Sequence, residues 1–202
     1  GIAFDKTAFI LIDVWNRHWC RGANERLAAM LPRMNELLAA ARENGALIIH
    51  APSGTMAAYE DTIQRRRAKE APYAKPPFPV NSWQNLAPEI EGQLPIDDSD
   101  GGCDCEPQCE SYSAWSAQHP AIDIAPADAI SDKGQEIYNL LEQHGIERVF
   151  ILGVHTNMCV LGRPFGIRQM ARLERNPVLV RDLTDTMYNH RMPPRVPHDR
   201  GT

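Results

Sequence analysis

Four runs of apolar residues divide the chain into regular segments. They are residues 8–13 (AFILID), 46–50 (ALIIH), 148–152 (RVFIL) and 177–182 (PVLVRD). Apolar runs without alternation are typical of strands that are buried on both faces, as in parallel sheets. A shorter run at residues 121–124 predicts one more, brief strand.

Helical periodicity fills the intervals between these runs. Residues 24–44 place apolar side chains on one face of a helix, namely Leu27, Leu31, Met34, Leu37, Leu38 and Ala41. Residues 54–69, 134–144 and 157–175 predict three further helices, and Gly145 is a stop signal. Strands that alternate with helices indicate βαβ units. The sequence therefore predicts an α/β fold with three αβα layers around an open, mostly parallel, Rossmann-like sheet.

The stretch from residue 71 to residue 119 interrupts this alternation. It is rich in proline, contains Gly101 and Gly102 as a pair, and shows little periodicity. Irregular stretches of this length inside compact domains are usually functional or mobile. We expect a single domain over residues 1–202 with a long irregular insertion at about 71–119.

Composition narrows the classes of partner. Charged residues make up 23% of the chain, hydrophobic residues 43%, and the formal net charge is −5. This charge gives no electrostatic footprint for a nucleic acid, and no apolar run reaches the length of a membrane span. We expect a small-molecule substrate as the partner, with no nucleic acid and no membrane.

Two residues with reactive side chains fall at one edge of the predicted sheet. Asp13 ends the first strand, and Cys159 stands a few residues after the strand at 148–152, at the predicted start of a helix. Ligands bind outside the carboxyl ends of parallel strands. A helix N-terminus favours a thiolate, while a nearby carboxylate can instead take the thiol proton as a general base. Position alone leaves a buried structural cysteine and a helix-capping acid as alternatives.

Four stretches carry a resemblance to a known family. They are FILIDVWN at residues 9–16, Gly145-Ile146 before the strand at 149–152, GVHTNMCV at 153–160 and VLVRD at 178–182. Over about residues 7–50 and 121–186, the chain resembles the isochorismatase-like cysteine hydrolases. The resemblance implies an αβα fold around a parallel sheet. It also implies hydrolysis of a C–N bond in a small amide, carbamoyl or ureido compound through a thioester, although some members cleave an enol ether.

The same resemblance implies roles for single residues. Cys159 would be the nucleophile and Asp13 its general base. The backbone N–H groups of His155 and Cys159 would form the oxyanion hole, commonly with a cis peptide between Val154 and His155. Members of the family commonly assemble as dimers or tetramers, so we also expect a homo-oligomer.

The chain departs from the family at a third catalytic residue, a lysine. Its expected position falls near residues 125–127 (APA), which contain no lysine. Lys133 is the nearest alternative, although a solvated lysine at the start of a helix explains it equally. If the lysine is lost, the chain is a catalytically altered or inactive member that binds a small molecule.

A phosphatase that uses Asp13 as its nucleophile is an alternative from another class of enzyme. Such enzymes usually need a second aspartate two residues on, where this chain has Trp15.

No metal or other cofactor is expected for the reaction. Several family members bind a metal through an Asp-x-His arrangement and further histidines after the second strand. Here that strand ends at His50 with no such cluster following, and a single histidine is more often packed or hydrogen-bonded than bound to a metal.

Substrate contacts are expected from residues that are close to Asp13 and Cys159 in the chain or that belong to the insertion. They are Trp15, Asn16, His18, Trp115 and Asn157.

Three cysteines, Cys103, Cys105 and Cys109, lie in one loop of the insertion. We favour a disulfide within this loop, with a bond from one loop sulfur to Cys20 as a further option. Such a bond would fit an exported protein, whereas a cytoplasmic location is the default. Half of a zinc site and a set of free thiols are the alternatives. A fourth zinc ligand would be Cys20, His18 or His119.

Overall fold

Five parallel strands form the sheet in the computed structural model, which describes residues 2–198 and 200–202. The strands are β1 (Thr7–Ile12), β2 (Leu47–Ala51), β3 (Ala129–Ile130), β4 (Arg148–Val154) and β5 (Pro177–Asp185). Their order is β3-β2-β1-β4-β5, and every neighbouring pair is parallel. The strand order reverses between β1 and β4, and doubly wound sheets bind ligands at such a point.

The described residues contain five α-helices. They are α1 (Arg21–Glu43), α2 (Ile63–Glu70), α3 (Pro88–Glu91), α4 (Gly134–Gln143) and α5 (Ile167–Arg172). Short 3-10 turns cover Phe4–Lys6 and Met56–Tyr59, and a π-helical turn covers Thr156–Val160. Within this described part of the chain, no helix has the length and apolar character needed to cross a membrane.

Two apolar layers, one on each face of the sheet, form the core. All six residues of β1 are buried, and their side chains point alternately to the two faces. On one face, the stripe of α1 packs against the sheet through Leu27, Leu31, Met34, Leu38 and Ala41. On the other face, strand residues pack with Ile137, Leu140 and Leu141 of α4 and Met170 of α5. The predicted three-layer αβα fold with an open parallel sheet is confirmed.

The strand predicted at residues 121–124 is wrong. Ile122 does join the apolar layer under α1, but the chain forms turns there, and the edge strand β3 comes later. Pro120 and Pro126 lack the backbone N–H groups that a ladder needs. The carboxylate of Asp128 accepts a hydrogen bond from the backbone N–H of Ala125 at 2.8 Å and closes the turn before β3.

Two predicted helices are shorter than their sequence pattern. Residues 54–69 form the 3-10 turn and then α2, whose first turn is capped by the Thr62 hydroxyl accepting from the N–H of Arg65. Residues 157–175 form the π-helical turn and α5. Pro164 and Gly166 separate these two pieces, and Gly166 is the extended residue before α5.

The insertion contains α3 and otherwise irregular chain, and it is anchored near the carboxyl edge of the sheet. The N–H of Gln84 donates to the carbonyl of Gly162 at 2.8 Å. Trp15 forms an isolated antiparallel bridge with Gln118. These contacts place parts of the insertion beside the end of β1 and beside the turn after β4. The division into one domain with an insertion stays a prediction.

Candidate active site

Asp13 lies directly after β1 and is fully buried. Its backbone has a φ of 51°, a left-handed conformation that is uncommon for a residue with a side chain. Oδ1 accepts a hydrogen bond from the N–H of Ser53 at 2.8 Å, and Oδ2 accepts one from Nε of Arg163 at 2.9 Å. Each carboxylate oxygen therefore has a donor, which holds the carboxylate in place at the carboxyl edge of the sheet.

Cys159 follows β4 through a sharp turn. Gly153 has a φ of 119°, and a Cβ at this position would lie 2.0 Å from the carbonyl oxygen of Ile12. Only glycine therefore fits this close approach to β1. The Val154–His155 peptide bond is cis, as the family resemblance implied. The π-helical turn that follows carries Cys159.

The structure brings the Cys159 thiol within hydrogen-bonding reach of the Asp13 carboxylate. Burial raises the pKa of Cys159 well above its ordinary value, and the negative charge of Asp13 raises it further, whereas Arg163 lowers it. These shifts favour a neutral thiol over the resting thiolate that a helix N-terminus would favour. Cys159 lies inside one π-helical turn and not at the first turn of a long α-helix.

The state of Asp13 is set by burial and by its neighbours. Burial raises the pKa of Asp13 above its ordinary value. The charge of Arg163 and the hydrogen bonds from Cys159 and Ser53 lower the pKa and so favour the carboxylate. A buried carboxylate without such partners would bind a proton.

Arg163 is the residue of this site that the sequence analysis did not find. It stands four residues after Cys159, and its backbone N–H donates to the Cys159 carbonyl at 3.0 Å. Its guanidinium pairs with Asp13 and lies within hydrogen-bonding reach of the Cys159 sulfur. The guanidinium carbon is 5.7 Å from the ring centroid of Trp83, a cation–π contact with the insertion. The available signal was the four-residue spacing from Cys159, which puts both residues on one side of a helical turn.

Lys133 lies in a different environment. It is the N-cap residue of α4, its side chain is 62% exposed, and Nζ is 3.0 Å from Oδ1 of Asp132. The cation that the structure places on Asp13 is Arg163.

Trp15 and Trp115 stack on each other, with ring centroids 4.0 Å apart and an interplanar angle of 6°. Nε1 of Trp15 donates to the carbonyl of Ser53 at 3.1 Å, and the N–H of Ser53 donates in turn to Asp13. The stack therefore supports the backbone that holds the Asp13 carboxylate.

Asn16 and His18 also lie close to the insertion. Nδ2 of Asn16 donates to the Ser116 hydroxyl at 2.9 Å, and Oδ1 accepts from the N–H of Ser116 at 3.1 Å. The His18 ring lies 6.1 Å from Trp115 and 5.1 Å from His155, as measured between centroids. A substrate contact by any of these residues stays a prediction.

Asn157 uses its whole side-chain amide on protein contacts. Nδ2 donates to Oδ2 of Asp98 at 2.7 Å and to the carbonyl of Met187 at 2.9 Å. Oδ1 accepts from the N–H of Met187 at 3.0 Å. Both amide protons are therefore engaged in this arrangement. Asn157 joins the π-helical turn that carries Cys159 to the insertion and to the chain after β5.

The acid at the end of β5 is Asp185 and not Asp182. Asp182 is exposed, whereas Asp185 is buried and accepts hydrogen bonds from Nε of Arg26 at 2.9 and 3.0 Å. Oδ2 of Asp185 is 3.7 Å from Nε2 of His155. Burial lowers the pKa of His155 well below its ordinary value, and the charges of His18 and Arg26 act in the same direction. His155 is therefore neutral at pH 7.

His50 is a buried histidine with both ring nitrogens hydrogen-bonded. Nδ1 is 3.0 Å from Oε1 of Gln118, and Nε2 is 2.9 Å from Oδ2 of Asp128. Arg42 also donates to Asp128, through Nε at 3.0 Å and Nη2 at 2.7 Å. His50 thus belongs to a buried polar network that joins β2 to the turn before β3.

A cavity of about 430 Å³ opens beside Ser53 and Arg163, the two donors to Asp13. Its other walls come from residues 54, 80, 82, 132–135 and 164, so the insertion contributes to it. Lys133 is one of these wall residues. Of the described residues that form the walls, none is one of the five predicted substrate contacts. The volume is in the range of small-molecule sites.

The disulfide expected in the cysteine loop is not formed. All five cysteines are free thiols, and the sulfurs of Cys20 and Cys105 are 3.9 Å apart, against about 2.05 Å in a disulfide. The thiols of Cys20, Cys103, Cys105 and Cys109 nevertheless lie close together.

A comparison with known families decides what kind of protein carries this site. The Isochorismatase domain family matches residues 7–191. The chain belongs to the isochorismatase family. No curated protein matches its sequence.

Solved structures support the fold of this isochorismatase family member. An isochorismatase family protein from Desulfovibrio vulgaris subsp. vulgaris str. Hildenborough has a TM-score of 0.51 at 18% identity, with 89% of this chain and 81% of that chain covered. A cysteine hydrolase from Pseudomonas syringae pv. phaseolicola has a TM-score of 0.51 at 16% identity, with 92% and 75% covered. An isochorismatase family protein from Burkholderia thailandensis has a TM-score of 0.50 at 17% identity, with 90% and 80% covered. At these identities, the likeness shows a shared fold alone.

Proposed function

We propose that this isochorismatase family member is a cysteine hydrolase that cleaves a C–N bond of a small amide, carbamoyl or ureido compound. The observation that carries the proposal is the contact between the Cys159 thiol and the Asp13 carboxylate, which Ser53 and Arg163 hold in place. A neutral thiol beside an oriented carboxylate is the arrangement of a nucleophile with its general base. Membership of the isochorismatase family supports this assignment.

The first half of the reaction forms a thioester. Asp13 takes the proton from Cys159 as the sulfur attacks the carbonyl carbon of the substrate. The oxyanion of the tetrahedral intermediate accepts hydrogen bonds from the backbone N–H groups of His155 and Cys159. The C–N bond then breaks, and the nitrogen leaves with the proton that Asp13 held.

The second half hydrolyses the thioester. Asp13 takes a proton from water as the water oxygen attacks the thioester carbonyl. The C–S bond breaks, the acid product leaves, and the sulfur recovers its proton from Asp13. The net reaction consumes one water and releases an acid together with ammonia or an amine.

Arg163 acts in this scheme as a positioning residue. A guanidinium stays protonated throughout, so it holds a charge and does not deliver a proton. Its contacts with Asp13 and with the Cys159 sulfur keep the carboxylate ionised and aimed at the thiol. The alternative of an inactive family member rested on the missing lysine. Arg163 supplies a cation beside Asp13 in this chain, which weakens that alternative.

An ammonia-release screen over small amides and ureido acids tests the proposal. We expect turnover by the wild type, and a loss of about 1,000-fold or more in kcat/KM for Cys159→Ala and for Asp13→Asn. Asp182→Asn, at an exposed acid near the same edge of the sheet, is the matched control and should retain full activity. Activity that survives in Cys159→Ala would overturn the mechanism.

Two further measurements complete the test. Mass spectrometry of an acid-quenched reaction should show an acyl adduct on the wild type that is absent from Cys159→Ala. An inactive binding member would instead bind a small amide in calorimetry without releasing ammonia. We also propose a homo-oligomer, a dimer or a tetramer, which light scattering on the purified chain would test.

A further inference from the structure

Four cysteine sulfurs converge beside the start of α1. Cys20 is the N-cap residue of this helix, and Cys103, Cys105 and Cys109 come from the insertion. All four Sγ atoms lie within 4.8 Å of one another, and those of Cys20 and Cys105 are 3.9 Å apart. In a tetrahedral zinc site with Zn–S bonds of about 2.3 Å, neighbouring sulfurs are about 3.8 Å apart. We infer that these four cysteines bind one zinc ion as a closed tetrathiolate site.

The mutual spacing of the sulfurs distinguishes zinc from a disulfide. A disulfide would draw one pair of sulfurs together to about 2.05 Å and would leave the other two without a bonded partner. A metal needs all four sulfurs close to one centre, and the four Sγ atoms lie within 4.8 Å of one another. Three of the ligands come from one short loop, and the fourth comes from the N-cap of α1, which is far away in the sequence. The metal would therefore cross-link two separate segments of the chain.

Backbone N–H groups are directed at two of these sulfurs. The N–H of Gly22 donates to Sγ of Cys105 at 3.3 Å, and the N–H of Cys109 donates to Sγ of Cys103 at 3.5 Å. Hydrogen bonds of this kind stabilise metal-bound thiolates and fix their orientation. The backbone of the first turn of α1 and of the loop therefore already holds these two sulfurs in place for metal binding.

The surroundings offset the charge of the complex. When Zn²⁺ binds four thiols, four protons are released to solvent and the site carries a net charge of −2. The guanidinium of Arg21 lies within hydrogen-bonding reach of the sulfurs of Cys109 and Cys105. Cys20 stands at the N-terminus of a 23-residue helix, whose dipole favours negative charge.

The site is structural and distinct from the catalytic centre. Four protein ligands leave no open coordination position for a substrate, and two of the ligands, Cys20 and Cys103, are fully buried. The cysteines pack against Met158 and Met187, and Gly102 lies against the backbone of Met187. Zinc would thus fasten the insertion to α1 and to the residue that precedes Cys159.

Metal analysis of the purified full-length chain tests this inference. The chain is expressed in zinc-supplemented medium and purified without chelators and without a histidine tag. Mass spectrometry of the metal content should show about one zinc ion per chain. Replacement of zinc by Co²⁺ should give the absorption bands of tetrahedral cobalt together with sulfur-to-cobalt charge transfer.

Variants identify the ligands. The double variant Cys105→Ser with Cys109→Ser should hold less than about one tenth of a zinc ion per chain, with its fold checked by circular dichroism. His198→Ala should keep its zinc, which excludes the nearby group of Asp104, His190 and His198 as the site. Cys159→Ala should also keep its zinc, so failure of the zinc site and failure of the hydrolase proposal are distinguishable.

Four outcomes would overturn the inference. They are a metal-free wild-type chain whose thiols all react with a thiol reagent, a mass lower by about 2 Da for each disulfide, iron in place of zinc, and full zinc content in the double variant. The first three are read from the wild type alone, so the test does not depend on the variants folding.

Discussion

Arg163 donates through Nε to Oδ2 of Asp13 at 2.9 Å, although the two residues are 150 positions apart in the chain. Asp13 is completely buried, and the side chain of Arg163 is 26% exposed. A carboxylate buried to this extent tends to take up a proton unless a cation or several hydrogen bonds offset the loss of water. The charge of Arg163 therefore favours the ionised form of Asp13 next to the Cys159 thiol.

Arg163→Met should lower kcat/KM by about 100-fold, because it removes the charge that keeps Asp13 ionised and oriented. Arg163→Lys keeps the charge but loses the fork of the guanidinium, so it should recover part of the rate. Steady-state kinetics on a substrate from the screen measures both. Arg168→Met, at an arginine paired with Glu91, is the control and should match the wild type. Equal activity of Arg163→Met and the wild type would refute the positioning role.

The pH profile should report the pKa of Asp13. The base must be ionised, so kcat/KM falls as the pH is lowered through this pKa. Burial raises the pKa of Asp13 above 3.8, which puts the acid limb at a higher pH than an ordinary aspartate would. Arg163 lowers this pKa in the wild type. Arg163→Met should therefore move the limb to still higher pH and Arg163→Lys should move it less, in rates measured over about pH 4 to 9. A limb that stays in place in Arg163→Met would argue against the pairing.

Lys133→Ala should change kcat by no more than about twofold, since surface substitutions of solvated groups have small effects. Its side chain is 62% exposed and pairs with Asp132. Because Lys133 lies on the cavity wall, an increase in KM with kcat unchanged would indicate a contact with the substrate. A loss of several orders of magnitude in kcat would instead assign the chemistry of the family's lysine to Lys133.

Asp128→Asn should lower the free energy of unfolding by about 3 kcal/mol at pH 7, because it removes the buried negative charge and one of the two acceptor oxygens that Arg42 and His50 use. Burial opposes the charge of Asp128, but hydrogen bonds from His50 and Arg42 outweigh it and lower the pKa of Asp128. A lowered folded-state pKa contributes stability above the unfolded value of about 3.9.

The difference between wild type and Asp128→Asn should accordingly shrink as the pH falls below about 4. Urea unfolding curves at several pH values measure it. Asp123→Asn, at an exposed aspartate, is the control and should unfold like the wild type. A deficit that does not change with pH would mean that Asp128 is not held as a carboxylate.

The local pattern of apolar residues was sufficient to predict the central strand and the helix that covers it. Residues 8–12 are all apolar because β1 is the central strand. The apolar stripe of α1 repeats because one face of the helix covers the sheet. The same logic failed at residues 121–124. There Ile122 is buried by packing under α1 and not by strand pairing, and apolar character alone does not separate the two cases.

The sequence by itself determined the layered fold and the two residues, Asp13 and Cys159, that follow neighbouring strands, because the ends of parallel strands share one edge. Only the tertiary structure decided that Arg163 pairs with Asp13 and that Cys20 joins the sulfurs of the insertion. It also decided that Asp185, and not Asp182, is the buried acid at the end of β5. These contacts join segments far apart in the chain. Their partners depend on how turns and loops fold back over the sheet, and the periodicity of any one segment does not contain that information.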